Sequence, residues 1–313
     1  MNKEDDIRLD QKVRAAWMYY IAGLNQSEIA SQLGTSRPVV QRLIAAAKDE
    51  GIVSIGLHHP VANCLDYAQL LKEKYHLTDC NIVPVYSVES TLDSVTFGCY
   101  QLMARYLQGD KPTIVGIGSG LTLKKTIRRI DFDSQNTRCV ALISAMNEHG
   151  QCNYYDDVPL LLARKIQGKY YQWPAPRYAQ SREEHQMWST NRLFRNVSAV
   201  ACNSDVIFVG IGALGRQSPI FKDGFINEQQ LEELTMLGGV GEILGRFIDA
   251  DGNVVENHIN LMITSYDIRE SQCPRIAAAC GEDKRPAILA ALKGGWINGL
   301  VTDEHTARWL LTR

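Results

Sequence analysis

The stretch from Leu24 to Val53 most constrains the fold, because it predicts two short helices joined by a glycine turn. Asn25 and Glu28 have the spacing of a capping box, which predicts the start of the first helix. Gly34 would end that helix, and Pro38 falls in the first turn of a second one, where its missing amide donor costs little. Such a pair is the helix-turn-helix arrangement, which places its second helix in the DNA major groove.

The second predicted helix has one apolar face and one cationic face. Its apolar residues have the i, i+3, i+4, i+7 spacing of a buried helix face: Val40, Leu43, Ile44 and Ala47. Its other face carries Arg37, Arg42 and Lys48 but no acidic residue, and these side chains suit phosphates and base edges. The predicted DNA-binding residues are Gln26, Ser27, Thr35, Ser36, Arg37, Gln41 and Arg42. The alternative is a helix pair used only for protein contacts.

The flanking residues complete a predicted N-terminal domain. Residues 10–22 predict a helix that packs through one stripe on the helix pair: Val13, Ala16, Trp17, Tyr20 and Ile21. Ile52–Leu57 predicts a short strand, the wing of a winged helix-turn-helix domain. The break at His58-His59-Pro60 then divides the 313 residues into domains 1–58 and 59–313.

From about residue 63 the pattern changes to short apolar strands that alternate with helices. The predicted strands are Cys80–Val85, Thr113–Ile117, Arg138–Ser144, Asp205–Ile211, Asn260–Thr264, Pro274–Cys280 and Gly299–Thr302. The predicted helices cover 65–75, 92–106, a segment from 122, 157–167, 227–237, 283–293 and 303–311. This alternation predicts an α/β domain with a Rossmann-type parallel sheet covered on both faces.

Composition excludes several classes of protein. The formal charge is −2, no apolar run approaches the ~20 residues of a membrane span, and the first ten residues are too polar for a signal peptide. We therefore expect a cytoplasmic protein without a membrane partner. None of the eight cysteines is spaced as C-x-x-C, so we predict free thiols, no metal site and no cofactor.

Ligands of open α/β sheets bind beyond the carboxyl ends of the strands, and the loops there carry the candidate site. Gly118-Ser119-Gly120-Leu121-Thr122 follows a strand and opens a helix, as a phosphate cradle requires, although it is neither a Walker loop nor a dinucleotide fingerprint. Gly210–Gly215 does match G-x-G-x-x-G, but Pro219 interrupts the helix that should follow, so a tight turn is favoured. Asp249–Asn253 predicts a hairpin turn rather than a calcium loop.

With these motifs in order, the chain resembles the SorC family of bacterial regulators of sugar and polyol operons over essentially its whole length. The resemblance is carried by GLNQSEIASQLGTSRPVVQRLIAAAKDEGIV, VGIGSGLTL, VGIGAL, GGVGEILGRFIDADGNVV, GEDKRPAILAALKGG and LVTDEHTARWLL. It implies an effector domain similar in fold to glucosamine-phosphate deaminase and ribose-phosphate isomerase, without their catalysis. The effector-binding residues that it implies are Gly118, Ser119, Gly120, Leu121, Thr122, Gly212, Glu242 and Lys284. Ala145, in the loop after strand 138–144, is a further candidate effector-binding residue.

The chain is thus predicted to be a homo-oligomeric regulator, a dimer or tetramer, that binds double-stranded operator DNA under control of a phosphorylated sugar or polyol. It departs from the family pattern at Glu242, where an Asp is common, and at Ser144-Ala145-Met146, which replaces a glycine-rich loop. The rival hypothesis is a sugar-phosphate isomerase or deaminase with a DNA-binding appendage, in which Glu242 and Lys284 act as acid–base groups. Lys284 would alternatively form a Schiff base with an aldehyde effector.

Overall fold

The computed structural model describes residues 3–53, 60–147, 150–152 and 158–313. The chain forms two compact units, residues 1–59 and 60–313. None of the helices in these described ranges combines the length and the apolar character that a membrane crossing requires.

The first unit is built from three helices, α1 (Lys3–Tyr20), α2 (Gln26–Gln32) and α3 (Arg37–Asp49). The capping box predicted at the start of α2 is present: the Asn25 side chain accepts from the Glu28 amide, and the Glu28 carboxylate accepts from the Asn25 amide at 2.8 Å. Ser36 precedes α3 without making a capping bond from its side chain. The three helices enclose a small core: Ala15, Ile29, Ala30, Val40 and Ile44.

The stripe predicted for α1 is wrong at three positions. Val13, Trp17 and Ile21 are 44%, 58% and 71% exposed, while Ala15 and Ala16 are buried. The face of α1 that enters the core is therefore the one with small residues, which lets α1 and α3 approach closely. Of the predicted wing, residues 52 and 53 are not part of a strand, and residues 54–57 lie outside the described ranges.

The second unit contains ten strands in its described part. They are β1 (Asp79–Val83), β2 (Ile114–Ile117), β3 (Arg138–Ala141), β4 (Lys169–Tyr171), β5 (Val206–Val209), β6 (Gly212–Ala213), β7 (Gly239–Ile243), β8 (Arg246–Asp249), β9 (Arg275–Ala278) and β10 (Gly299–Asp303). Seven of them form a fully parallel sheet in the order β1-β10-β9-β5-β2-β3-β4. The other three form a small antiparallel sheet in the order β6-β7-β8.

The helices of this unit cover both faces of the parallel sheet, as predicted. They are α4 (Pro60–Tyr75), α5 (Val88–Leu107), α6 (Leu121–Arg128), α7 (Val158–Lys165), α8 (Arg182–Thr190), α9 (Arg192–Cys202), α10 (Pro219–Lys222), α11 (Glu228–Met236), α12 (His258–Met262), α13 (Arg285–Lys293) and α14 (Glu304–Leu311). Along β5, Val206 and Phe208 enter one apolar cluster while Ile207 and Val209 enter the other. A strand buried on both faces explains the continuous apolar runs of the sequence.

One predicted strand is wrong, and four observed strands, β4, β6, β7 and β8, are not predicted. The sequence predicts a strand at residues 260–264, but most of them belong to the short helix α12. The Asn260 side chain bonds the amide and carbonyl of Phe247 and the carbonyl of Val255, so a side chain takes the place of a paired strand beside β8. Among the strands that are not predicted, β4 is three residues long and β6 only two, and both are only partly buried, which leaves too short a pattern to detect. The strand β7 contains Gly239 and Gly241, and glycine weakens a strand pattern.

The eight cysteines, all within the described ranges, are free thiols. Cys99 and Cys139 are buried in the apolar layers of the sheet, and burial raises the pKa of both thiols to about 12. Buried neutral thiols of this kind act as small core residues.

The turn predicted at Asp249–Asn253 is present, and its glycine is tightly enclosed by backbone. Gly252 has a φ of +84°, and a β carbon there would collide with the Ala290 carbonyl oxygen and lie 2.6 Å from the Gly294 nitrogen. The Gly252 carbonyl also accepts the indole N–H of Trp296 at 2.7 Å. The turn therefore packs directly on the end of α13.

We expect Gly252→Ala to destabilise this unit by ~3 kcal/mol, since left-handed backbone strain adds to an overlap with rigid backbone. Thermal unfolding should show a melting temperature lower by roughly 10 °C. Gly224→Ala is the matched control: its φ is +74°, but nothing lies within 4 Å of the position that its methyl group would take, so only the strain of ~1 kcal/mol is expected. Equal losses in the two variants would contradict the crowding argument.

Candidate functional site

The candidate effector residues follow four strands that are neighbours in the sheet. In the order β9-β5-β2-β3, the loops after these strands carry Lys284, Gly212, Ser119 and Ala145. The chain continues from β2 to β3 on one side, whereas β5 lies on the other side of β2. The sheet therefore has a topological switch point between β2 and β5, where a crevice forms at the carboxyl edge of such sheets.

The loop after β2 presents unused amide donors to this crevice. The Gly118 amide is bonded to the Phe208 carbonyl of β5 at 2.9 Å, which continues the strand pairing. Gly120, with a φ of +113°, then turns the chain into α6, whose first bond runs from the Lys124 amide to the Gly120 carbonyl at 3.0 Å. Within the described part of the chain, the amides of Ser119, Gly120 and Leu121 donate to no acceptor. An N-terminus with free donors favours an anion.

Gly212 and Glu242 are direct neighbours across the small sheet. They are paired residues of β6 and β7, and a β carbon at Gly212 would collide with the Glu242 carboxylate. That carboxylate also accepts the Gly245 amide at 2.8 Å. Gly212 is thus the residue that leaves room for the longer side chain found here in place of an Asp, although it shows no ligand contact by itself.

Lys284 lies after β9, in a short 3-10 helix (residues 282–284) that packs against β6. Burial raises the pKa of the neighbouring Cys280 to about 11, the Asp303 carboxylate adds to this rise, and Lys284 opposes it. The positive charge of Lys284 therefore acts on the thiol that follows β9. Lys284 itself is half-buried.

The loop after β3 is held by a buried arginine that the sequence pattern does not reveal. Arg177 donates from Nε and Nη2 to the Ser144 carbonyl at 3.3 and 3.2 Å, and its guanidinium lies 3.6 Å from the ring centre of Phe225. The Met146 carbonyl accepts the Arg177 amide at 3.0 Å. Ala145 lies between these two bonded residues and is half-buried. Residues 148 and 149 of this loop lie outside the described ranges.

A strained turn also reaches the loop after β2. Leu244 and Gly245 join β7 to β8 with φ values of +53° and +79°, the signs that a type I′ hairpin turn requires. Three side chains hold the turn: Ser265 bonds the Leu244 carbonyl, Tyr178 bonds the Gly245 carbonyl, and Glu242 bonds the Gly245 amide. A β carbon at Gly118 would lie 3.0 Å from the Leu244 side chain, so this turn packs directly on the start of the loop after β2. Strain in a leucine backbone marks a candidate functional residue.

The predicted DNA-binding residues lie on the surface of the first unit. Ser27, Ser36, Arg37, Gln41 and Arg42 are exposed, and Gln26 and Thr35 are half-buried. Arg37 donates to the Gln26 side chain at 3.4 Å, which brings the starts of α2 and α3 together. Arg42 donates to the Pro38 carbonyl at 3.4 Å, a long bond within its own helix. The buried face of α3 consists of Val40, Ile44 and Ala47, as its spacing predicted, and the fourth predicted residue, Leu43, is half-buried.

Comparison with known proteins agrees with both units. The Sugar-bind family model, which describes a sugar-binding domain, matches residues 59–312. The crystal structure of the full-length sorbitol operon regulator SorC from Klebsiella pneumoniae superimposes with a TM-score of 0.73 at 26% identity, covering 98% of this chain and 99% of SorC. The chain belongs to the SorC family of transcription regulators.

Curated relatives match the chain over nearly its whole length. The erythritol catabolism regulatory protein EryD of Brucella abortus (strain 2308) is 31% identical over 302 residues, which covers 96% of this chain and 95% of EryD. The transcriptional regulator LsrR of Escherichia coli (strain K12) is 31% identical over 313 residues, 96% of this chain and 94% of LsrR. These relatives are named as regulators, so the chain is a DNA-binding regulator with a sugar-binding domain, and the names give no support to the rival enzyme hypothesis.

Proposed function

We propose that a phosphorylated sugar or polyol binds this SorC-family regulator in the crevice between β2 and β5 and thereby controls how α3 engages operator DNA. The observation that carries the proposal is the set of free amides at Ser119, Gly120 and Leu121, placed at the N-terminus of α6 and at the switch point of the sheet. A phosphate group supplies the oxygens that these donors lack.

The rest of the ligand would extend from the phosphate toward β5 and β9. In that direction the crevice offers the carboxylate of Glu242 for hydroxyl groups and the ammonium of Lys284 for an oxygen. Ala145 would border the ligand on the β3 side. The names of EryD, an erythritol catabolism regulator, and SorC, a sorbitol operon regulator, support a polyol as the carbon skeleton.

In the first unit, we propose that Arg37, Gln41 and Arg42 contact the major groove or its phosphates, aided by Gln26, Ser27, Thr35 and Ser36. A dimer or tetramer would match a palindromic operator, because two-fold symmetry places two copies of α3 on successive half-sites. The effector changes operator binding only if it binds one assembly state more tightly than another. By the same linkage, operator DNA would change the affinity for the effector by the same factor.

The test combines two titrations of the full chain. Thermal unfolding with a panel of sugar and polyol phosphates should show a concentration-dependent rise of the melting temperature for the true effector but not for its unphosphorylated form. Fluorescence anisotropy with an operator selected from random duplexes should then show a changed DNA affinity when the same compound is added. A panel in which no phosphorylated compound stabilises the protein, or in which operator affinity never changes, would refute the effector assignment.

A further inference from the structure

A stripe of large apolar side chains lies exposed on the surface of the first unit. Its four members recur every four residues, and from 43% to 71% of each is exposed: Leu9, Val13, Trp17 and Ile21. The Ile21 amide donates to the Trp17 carbonyl at 2.9 Å, so the helical path of α1 continues as far as Ile21. At 1.5 Å per residue the stripe is therefore about 18 Å long. We refer to it as the α1 stripe.

The α1 stripe faces away from α3 and from the core of its own unit. Ala15 enters that core together with Val40 and Ile44 of α3. In a helix, a separation of two residues corresponds to a rotation of roughly 200°, so Ala15 points away from both Val13 and Trp17. DNA is bound mainly through cationic and polar side chains, which makes another apolar surface the suitable partner of the stripe.

The size of the α1 stripe is that of an interaction site. Its side chains expose roughly 450 Å² per copy, within the range of apolar patches that are often functional on soluble chains. Two such stripes in contact would bury about 900 Å², which is most of the ~1,200 Å² that a specific interface needs. Side chains at the edges of the contact would supply the remainder.

The α1 stripe is complementary to a second copy of itself when the two helices run antiparallel. A two-fold axis at the level of Ala15 places Trp17 opposite the partner's Val13, so the largest side chain meets the smallest. The same axis places Ile21 opposite the partner's Leu9, so every member of the stripe is matched. Beside the stripe, Arg14 donates to Asp10 at 2.7 Å, and the two identical faces therefore meet with their nearest charges already compensated.

We propose that two copies of this chain pair through an antiparallel contact of their α1 stripes. Because each stripe faces away from α3, the contact leaves both copies of α3 uncovered. The inference rests on the two-fold assembly of the proposed function and assigns the surface that makes it. Neither the effector nor the operator takes part in the contact, so a test without either compound separates a failure of the pairing from a failure of the proposed regulation.

Cysteine crosslinking of the full chain tests both the contact and its direction. Leu9→Cys and Ile21→Cys copies, carrying C-terminal tags of different size, are co-expressed and treated with a short bismaleimide. The exposed Cys152 and Cys202 are replaced by serine in every variant to reduce the background. We expect a linked species of intermediate size, because antiparallel pairing brings the two positions together. Either variant alone should give roughly tenfold less product, since its two cysteines would lie about 18 Å apart along the helix axis.

Two charged variants locate the contact on the stripe. Trp17→Glu in both copies should lower the yield of the linked species roughly tenfold or more, because it places two carboxylates in an apolar contact. Gln11→Glu adds the same charge at an exposed position of α1 that is turned by roughly 200° from Leu9 and Val13, and it should keep the yield. Both positions are exposed, so the melting temperatures should confirm that the fold is kept.

Three results would overturn the proposal. The first is that no species of intermediate size forms, which is what we expect if another part of the same chain or a different protein covers the stripe. The second is that Leu9→Cys alone links as efficiently as the mixture, as a parallel pair requires. The third is that Trp17→Glu keeps the full yield of the linked species.

Discussion

Arg42→Ala should weaken operator binding roughly 10- to 100-fold while leaving the fold of the first unit intact, which corresponds to ~1–3 kcal/mol. Arg42 is exposed on α3 and forms no ion pair within the described part of the chain. Its long bond to the Pro38 carbonyl is weak enough to be exchanged for a phosphate or a guanine edge. Because an exposed side chain is removed, stability should change by only about 0.5 kcal/mol.

The salt dependence of binding distinguishes two roles for Arg42. If it contacts a phosphate, the variant loses affinity for all duplexes and the slope of log affinity against log salt falls by about one. If it reads a base, the slope is kept and specificity relaxes at one operator position. Fluorescence anisotropy at several salt concentrations measures both.

Arg14→Ala is the control for net charge in the same unit. Arg14 is 63% exposed on α1, and its Nε bonds Asp10 at 2.7 Å, so its charge is already compensated. We expect it to bind the operator as the parent protein does. If Arg42→Ala kept both the affinity and the salt slope of the parent, the assignment of Arg42 as a DNA contact would be wrong.

The sequence predicts best what is determined by neighbouring residues. Asn25 and Glu28 form their capping box because both partners lie within one helical turn. The runs around Val115 and Phe208 form central strands because a strand covered on both faces needs apolar residues at every position. The order of the motifs places the candidate loops correctly after their strands, since all parallel strands end at the same edge.

Contacts between segments that are distant in the chain cannot be predicted from local sequence patterns. Trp17 has the spacing of a core residue, yet the neighbouring alanines enter the core because close helix packing requires small residues. The Asn260 side chain, which bonds β8, has no local signature that distinguishes a capped helix from a strand.

The same limit applies to the candidate site. Arg177 and Leu244 escape prediction because each acts through residues far away in the chain, Arg177 on Ser144 and Leu244 on Gly118. The arginine lies after β4, a strand too short to detect. A leucine in a two-residue hairpin gives no turn signal, because Asn or Gly would be expected there.

Ser119→Asp should abolish binding of the phosphorylated effector without destabilising the sugar-binding unit. The new carboxylate would occupy the anion position at the start of α6, and its repulsion of a phosphate costs several kcal/mol, or at least ~100-fold in affinity. At the same time a negative charge at a helix N-terminus is favourable, so the melting temperature without ligand should stay the same or rise. Lost ligand binding together with retained stability is the signature that a merely structural role of Ser119 would not give.

Two comparisons make this result specific. Ser119→Ala removes one hydroxyl and should cost only ~1 kcal/mol, about fivefold, because the free amides remain. Thr312→Asp adds the same charge at an exposed position of the same unit, near the end of α14, and should bind normally. Calorimetric titration with the sugar or polyol phosphate that stabilises the parent protein measures all three. Should Ser119→Asp bind that compound as tightly as Thr312→Asp does, the phosphate cannot lie on the amides of this loop, because a carboxylate and a phosphate would then share one position without repulsion.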